Sequence, residues 1–222
     1  TEKPLLGNAF SGIKGVFTSP YLLGIAGFIA LMTFASTILY FAQSDLVYSA
    51  MTDRGERTAF LAKIDLTVNI LTIVFEVYLT ARLIRWLGVG LTLAVIPAAV
   101  AVGFLALGVY PTLATLVVVQ IIYRAGRYGM TKPAREILFT VVSREEKYKS
   151  KAFIDAAVYR GGDLVSGWIY AGLAFVGLSL GTIAMLAAPV AAMWAILGIR
   201  VAAKGDVKAA EMESEKVTMP VA

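Results

Sequence analysis

Long apolar runs separated by short polar segments dominate the chain. Six of these runs have about the length that a helix needs to cross the hydrocarbon core of a bilayer. They predict six transmembrane helices, at residues 20–43, 64–86, 89–108, 112–130, 152–178 and 181–200. We therefore expect residues 1–203 to form one all-α, polytopic membrane domain. Residues 204–222 are polar and are expected to be a loose cytoplasmic tail.

Polar residues are distributed unevenly among the six predicted spans. In spans one, two, four and five they recur every three or four residues, so they share one face of each helix. The charged members of these stripes are Asp65, Glu76, Arg124, Arg127, Asp155 and Asp163. Spans three and six carry little that is polar beyond Thr92 and Thr182. Two spans with a polar stripe are followed by one span without such a stripe, and this order occurs twice. The order predicts two three-helix repeats with the third helix of each at the periphery.

Composition agrees with a membrane protein and excludes several kinds of chemistry. Of the 222 residues, 59% are hydrophobic and 16% are charged, whereas soluble domains have about half and about a quarter. The chain has no cysteine and no histidine, which excludes disulfides, thiol chemistry and metal sites made of those residues. Neither a nucleophile paired with a base nor a phosphate-cradling glycine loop is present. We expect no enzyme activity, cofactor or metal.

The net charge of +5 reflects membrane topology more than nucleic-acid binding, because the basic residues lie in short loops between apolar runs. Alternate loops agree in their charge, so both termini are predicted to be cytoplasmic, in a bacterial cytoplasmic membrane. No initiating methionine or signal peptide is visible, and we expect the chain to be a piece of a longer polypeptide. The side predicted to be cytoplasmic carries Lys3, Lys14, Arg82, Arg85, Lys132, Arg135, Arg144, Lys147, Lys149, Lys151, Arg200, Lys204 and Lys208, against Arg54, Arg57 and Lys63 on the other side.

Four basic residues near the end of span four are candidates for binding an anion. Arg124 and Arg127 lie about one turn apart, and a guanidinium presents a planar fork that matches two phosphate oxygens. Lys132 and Arg135 continue the same stripe into the next loop. The alternative is that the arginines are anchors that extend to the membrane surface and that the loop residues only set topology.

Acidic residues inside the spans are candidates for coupling or gating. Glu76 lies near the middle of span two, where a charged carboxylate costs about 3 kcal/mol. Asp155 is expected to meet Arg135 or Lys132, and Arg160 is expected to pair with Asp163 along the helix. These charges either exchange partners during transport or form static ion pairs that fix the packing.

Two stretches carry a resemblance to known transporters. ARLIRWLGVG, between spans two and three, is similar to the loop of the major facilitator superfamily at Leu83 and Gly88, with Ala81 and Arg85 departing from that pattern. Residues 132–163 resemble the ATP/ADP exchange translocases of plastids and intracellular bacteria. The residues that match are Pro133, Arg135, Glu136, Lys147, Tyr148, Lys149, Lys151, Ile154, Asp155, Arg160 and Gly161.

The resemblance implies the C-terminal six-helix half of a twelve-helix carrier that exchanges nucleotides by alternating access. Its implied partners are the N-terminal half of the same transporter, the lipid bilayer and an anionic small molecule such as a nucleotide, without nucleic acid. The alternative is a non-transporting module of the same architecture that serves as a membrane anchor or a sensor for a fused soluble domain.

Overall fold

The chain is described by a computed structural model for residues 15–218, without the side chains of 144–146 and 215–218. All regular elements in this range are helical. Three helices are long and apolar enough to cross a membrane, Pro20–Ala50, Arg54–Val109 and Leu180–Ser214. The predicted helical class is therefore confirmed. Two of the predicted topology signals, Lys3 and Lys14, lie outside the described residues.

The helices follow one another with short connections. In chain order the α-helices are α1 (Pro20–Ala50), α2 (Arg54–Val74), α3 (Thr80–Val109), α4 (Leu113–Gly126), α5 (Lys132–Leu138), α6 (Arg144–Phe153), α7 (Tyr159–Phe175) and α8 (Leu180–Thr218). Three π-turns join consecutive helices without interrupting the helical path, at Phe75–Leu79, Arg127–Thr131 and Ile154–Val158. A 3₁₀ turn, Phe139–Val141, follows α5.

Short polar side chains fix where the long helices begin. At each of four helix starts a hydroxyl or carboxylate accepts a hydrogen bond from a backbone N–H of the first turn, which that turn cannot satisfy itself. The capping residues are Ser19, Asp53, Thr112 and Ser179, and they accept from Leu22, Glu56, Thr115 and Thr182.

Gly88 divides the long helical run Arg54–Val109 into two parts. Its φ of 76° and ψ of 172° are not helical, and only glycine adopts such a conformation without strain. The break falls between the predicted spans at 64–86 and 89–108. The helix before it begins ten residues earlier than predicted, at Arg54, because Asp53 caps it.

The prediction of a loose tail after residue 203 is wrong for the described residues, because α8 continues as far as Thr218. The segment KAAEMESEK is rich in Ala, Glu, Lys and Met, which are among the strongest helix formers. Polarity indicates exposure to water, and it does not by itself break a helix. Residues 219–222 lie outside the described range.

The two apolar helices, α3 and α8, make the most extensive contact in the structure. α8 also packs on α1, and α3 also packs on α4. α7 packs on α1, α2 packs on α4, and α1 contacts α4. The plain helices thus form the back of the bundle, whereas the helices with polar stripes lie together at the front.

The core of the bundle is centred on Trp194 of α8, which is fully buried. Its ring lies 5.5 Å from that of Phe28 on α1 and 6.4 Å from that of Tyr123 on α4. The Tyr123 hydroxyl donates a hydrogen bond to the backbone carbonyl of Met32 at 3.1 Å. This cluster joins three helices and fixes the positions of α1 and α4.

One face of α1 is attached to α7 at every turn along its second half. Successive residues of this face, four apart, each contact α7 by close packing, a hydrogen bond or ring stacking. They are Thr33 against Gly162, Thr37 to Asp163 at 3.5 Å, Phe41 stacked on Tyr170 at 4.6 Å, and Asp45 accepting from the Tyr170 hydroxyl at 2.5 Å. The two helices therefore form one continuous wall.

The contact between Thr33 and Gly162 gives a matched pair of stability variants. A methyl group added at Gly162 would collide with the Thr33 hydroxyl and lie 3.3 Å from its Cβ, whereas at Gly161 nothing lies within 4 Å. We predict that Gly162→Ala destabilises the fold by about 1–3 kcal/mol through overpacking. Gly161→Ala should leave stability unchanged or raise it, since alanine favours a helix. Thermal unfolding in detergent measures both, and equal melting temperatures would contradict the packing argument.

Candidate functional site

The front of the bundle contains a cavity of about 590 Å³, called here the central cavity. It lies where α1, α5, α7 and two π-turns come together. Four basic residues and two carboxylates line it, so its walls carry an excess of positive charge. The lining residues are Met32, Arg127, Tyr128, Thr131, Lys132, Arg135, Asp155, Tyr159, Arg160 and Asp163. Six of the eight candidate residues predicted from the sequence lie on this one cavity.

Two further chambers share wall residues with the central cavity. An aromatic chamber of about 710 Å³, bounded by Tyr40, Phe41 and Trp168, shares Arg160 and Asp163 with it. A smaller polar chamber of about 360 Å³ shares Arg127, Tyr128 and Tyr159 with the central cavity. These three neighbouring spaces lie along α1, α4 and α7 and are together called here the groove.

Arg127 is held in this groove by several hydroxyl and aromatic side chains. Its guanidinium donates to the hydroxyls of Ser36 at 3.4 Å and Tyr123 at 3.3 Å, and also to Tyr159. The guanidinium carbon lies 5.2 Å from the ring centres of Tyr128 and Tyr159. These aromatic and hydroxyl contacts hold the charge in place without neutralising it.

No carboxylate of the described residues lies within ion-pair distance of Arg127. Asp163 is near enough for mutual attraction but forms no ion pair with it. Three of the five guanidinium N–H groups are used by the three hydroxyls. Arg127 therefore keeps a positive charge and spare donors on the wall of a cavity, which suits an anionic ligand.

Arg124 is placed differently, although it lies one turn before Arg127. Its guanidinium pairs with Asp65 of α2 at 2.6 Å. It lines the small polar chamber and is absent from the walls of the central cavity. The polar stripe of span two thus supplies a counter-ion for one of the two candidate arginines, which sequence spacing alone did not indicate.

A second group of charges links the end of α5 to the start of the fifth predicted span. Arg135 lies 3.4 Å from Asp155 and 3.7 Å from Glu136, and Lys151 lies 2.6 Å from Glu136. The predicted meeting of Asp155 with Arg135 is confirmed. Burial works against ionisation of Glu136, but the hydrogen bond and charge of Lys151, with the charge of Arg135, lower the pKa of Glu136 below its usual value.

The predicted pairing of Arg160 with Asp163 is wrong, because the two do not form an ion pair in the described part of the chain. The Asp163 carboxylate instead accepts a hydrogen bond from Thr37 of α1 at 3.5 Å. Contact with α1 thus orients this side chain more strongly than the neighbour three residues earlier. Arg160 and Asp163 still border the same two chambers.

Glu76 lies on the π-turn after α2 and lines a separate cavity of about 570 Å³ with Thr72, Tyr128, Lys132 and Glu136. It is exposed, and it has no ion-pair partner among the described residues. Lys132 and Tyr128 border both this cavity and the central one. Glu76 therefore lies beside the basic groove rather than within it.

The tyrosines around Arg127 were missed by sequence reasoning. Tyr123 could have been noticed, since it lies four residues before Arg127 and so on the same helical face. Tyr159 comes from another helix, and no local pattern connects it with Arg127. Thr131, which is almost completely buried on the cavity wall, was likewise missed.

Comparisons with known proteins give no further guidance. No family model matches the chain, and neither the curated proteins nor the solved structures include a significant match.

The charge network at Glu136 predicts a pH-dependent part of the stability. Because the folded-state pKa of Glu136 lies below its ordinary value of 4.5, its ionised form stabilises the fold above about that pH. This contribution disappears as the pH falls through the lower, folded-state value. We predict that Glu136→Gln lowers the melting temperature at pH 7 and that its difference from wild type shrinks on acidification.

Thermal unfolding in detergent between about pH 7 and pH 3 measures this difference. Glu211→Gln, at an exposed position of α8, controls for the general effect of removing a negative charge. A gap between wild type and Glu136→Gln that stays constant across this range would contradict the prediction.

Proposed function

We propose that the chain is one six-helix half of a secondary carrier for an organic anion, with a nucleotide as the leading substrate class. The observation that carries this proposal is Arg127, a cation held by tyrosines and without a carboxylate partner among the described residues, on the wall of a basic cavity. A binding site for an anion needs such an uncompensated charge, whereas a purely structural arginine is normally paired.

The lengths of the helices support six spans. The run Arg54–Val109 has 56 residues, which at about 1.5 Å per residue is roughly 84 Å, about twice a bilayer with its headgroups. Its break at Gly88 yields two spans. The fourth and fifth spans, predicted at 112–130 and 152–178, correspond to α4 with the π-turn Arg127–Thr131 and to the π-turn Ile154–Val158 with α7.

The contacts between helices support an internal repeat. An internal repeat would relate spans one, two and three to spans four, five and six. Under that exchange the contact between α1 and α7 (spans one and five) corresponds to the contact between α4 and α2 (spans four and two). The same exchange turns the contact of α1 with α8 into that of α4 with α3. The contacts α3–α8 and α1–α4 each map onto themselves, and all six contacts are present. Such a pattern is typical of the repeats from which major-facilitator-type halves are built.

In the proposed mechanism the groove faces the other half of the carrier, and the two halves rock about the bound anion. Arg127, Lys132 and Arg135 attract the anionic groups, and the aromatic chamber next to Arg160 accommodates an uncharged, ring-like part of the ligand. Asp155, Asp163 and Glu76 lie next to these cations and would take part in gating or coupling as the halves move.

The test is uptake of labelled ATP by liposomes that contain the full-length protein, with or without ADP inside. We expect uptake that depends on internal ADP. Arg127→Gln should reduce ATP affinity by about tenfold or more, because a hydrogen bond to a charged group contributes about 1.5–3 kcal/mol. Arg127→Lys, which keeps the charge without the fork, should have an intermediate effect.

Arg124→Gln is the matched control, because it also removes a guanidinium, one helical turn before Arg127. At that position Asp65 already neutralises the charge. We expect a smaller loss for this variant than for Arg127→Gln. Equal affinity of wild type and a folded Arg127→Gln variant would remove the observation that carries the proposal. Absence of ATP uptake by folded wild type under both loadings would exclude nucleotide exchange and leave other anions or the anchor role.

A further inference from the structure

Two polar atoms on the wall of the central cavity are buried and have no hydrogen-bond partner, the Thr131 hydroxyl and Nε of Arg135. Thr131 is only 1% exposed. A buried polar group without a partner costs about 1–3 kcal/mol, and native proteins rarely leave one. Three further atoms of this kind occur in the described residues, Oγ1 of Thr72, Oε1 of Gln120 and Nε1 of Trp194. The atoms of Thr131 and Arg135 differ from these because both belong to residues that line the same basic cavity.

The Thr131 hydroxyl differs from most threonine hydroxyls in the described helices, although that of Thr72 on α2 is also buried without a hydrogen-bond partner. Thr58, Thr67 and Thr92 donate to the carbonyl four residues earlier, at 2.9, 2.9 and 2.7 Å, as threonines within helices commonly do. Thr80, which follows the first π-turn, donates to Phe75 at 2.9 Å. Thr131 ends the second π-turn and forms no such bond. Its hydroxyl therefore has no partner, and the residue that carries it lines the cavity.

Arg135 follows Thr131 by four residues, so the two side chains share a helical face. Its terminal nitrogens lie 3.4 Å from Asp155 and 3.7 Å from Glu136. These separations exceed those of good charge-assisted hydrogen bonds, which are near 2.8 Å. Asp155 thus attracts Arg135 by charge while Nε of Arg135 has no hydrogen-bond partner.

We propose that Thr131 and Arg135 form a subsite for a phosphoryl-type oxyanion, and that Asp155 pairs with Arg135 while the subsite is empty. The subsite adjoins Arg127, because Thr131 and Arg135 follow it by four and eight residues, which are about 6 and 12 Å of helix. An anion with several charged oxygens satisfies the Thr131 hydroxyl and Nε of Arg135 together and displaces Asp155. This inference rests on the proposed function for its place in transport, and it specifies a substrate with a phosphate-like group.

The subsite is tested by titrating inorganic pyrophosphate into the full chain in lipid nanodiscs, with calorimetry as the readout. Thr131→Val preserves the shape of the side chain and removes only the hydroxyl. We expect it to weaken pyrophosphate binding about tenfold while leaving the melting temperature unchanged or higher, since a buried, unsatisfied polar atom is removed. A merely structural role for Thr131 would not produce that combination.

Thr92→Val is the matched control, because Thr92 is also fully buried but bonds within its own helix. It should lower stability without changing pyrophosphate affinity. Asp155→Asn removes the competitor and is expected to tighten pyrophosphate binding several-fold, although it loses an ion pair. Weaker binding by a folded Asp155→Asn variant would overturn the role given to Asp155.

Unchanged pyrophosphate affinity in Thr131→Val, or no binding by wild type, would overturn the subsite. These outcomes are distinguishable from failure of the proposed function. Loss of ATP exchange in Arg127→Gln with unchanged pyrophosphate binding in Thr131→Val would support the carrier and exclude the subsite. Pyrophosphate binding that depends on Thr131, without ATP exchange, would support the subsite and exclude a nucleotide as the substrate.

Discussion

The arrangement at the front of the bundle depends on the way a guanidinium is held among tyrosines. A charge in an apolar bundle must be stabilised, and a carboxylate would neutralise it. Arg127 is stabilised instead by hydroxyls and ring faces from three helices, Ser36 on α1, Tyr123 on α4 and Tyr159 at the start of α7. Since Tyr123 also bonds to α1 and packs on Trp194, the position of the charge is linked to the core. The cavity keeps its shape because this cage joins its walls.

The three π-turns are concentrated around this region. Two of them are in direct contact, since the Thr80 hydroxyl lies 2.9 Å from the Phe75 carbonyl and 2.5 Å from that of Gly129. An extra residue in a helical turn displaces carbonyls from the regular ladder and reorients the side chains that follow. Here the reoriented side chains include Tyr128, Thr131 and Tyr159, which line the central cavity. The local irregularities and the basic cavity thus coincide.

Much of the fold followed from patterns along the chain. Approximate helix positions were predictable because apolar length is a local signal, and the division at Gly88 fell between two predicted spans. The Asp53 cap, which starts α2 ten residues before the predicted span, was missed. The grouping of Arg127, Lys132, Arg135, Asp155 and Asp163 followed from stripes with helical spacing. The helical segment after residue 203 was missed because its polarity received more weight than its helix propensity.

Partners from distant parts of the chain could not be predicted from spacing. Nothing local to Arg124 indicates Asp65, which is 59 residues away, and nothing local to Asp163 indicates Thr37. Both partnerships depend on how α2 and α1 are rotated about their axes, and packing decides that rotation. The π-turns were also unpredictable, because their sequences are compatible with a regular helix.

The conformation of Gly88 has a mechanical consequence for the bundle. Two long helical segments meet at this residue with no intervening loop, so one pair of backbone torsion angles determines the direction of the second relative to the first. The part of α3 that follows Gly88 packs on α8 at the back of the bundle, whereas the helix before it carries Asp65 and Glu76 at the front. A residue with a side chain at position 88 would have to leave this backbone conformation, and the angle between the front and the back of the bundle would change with it.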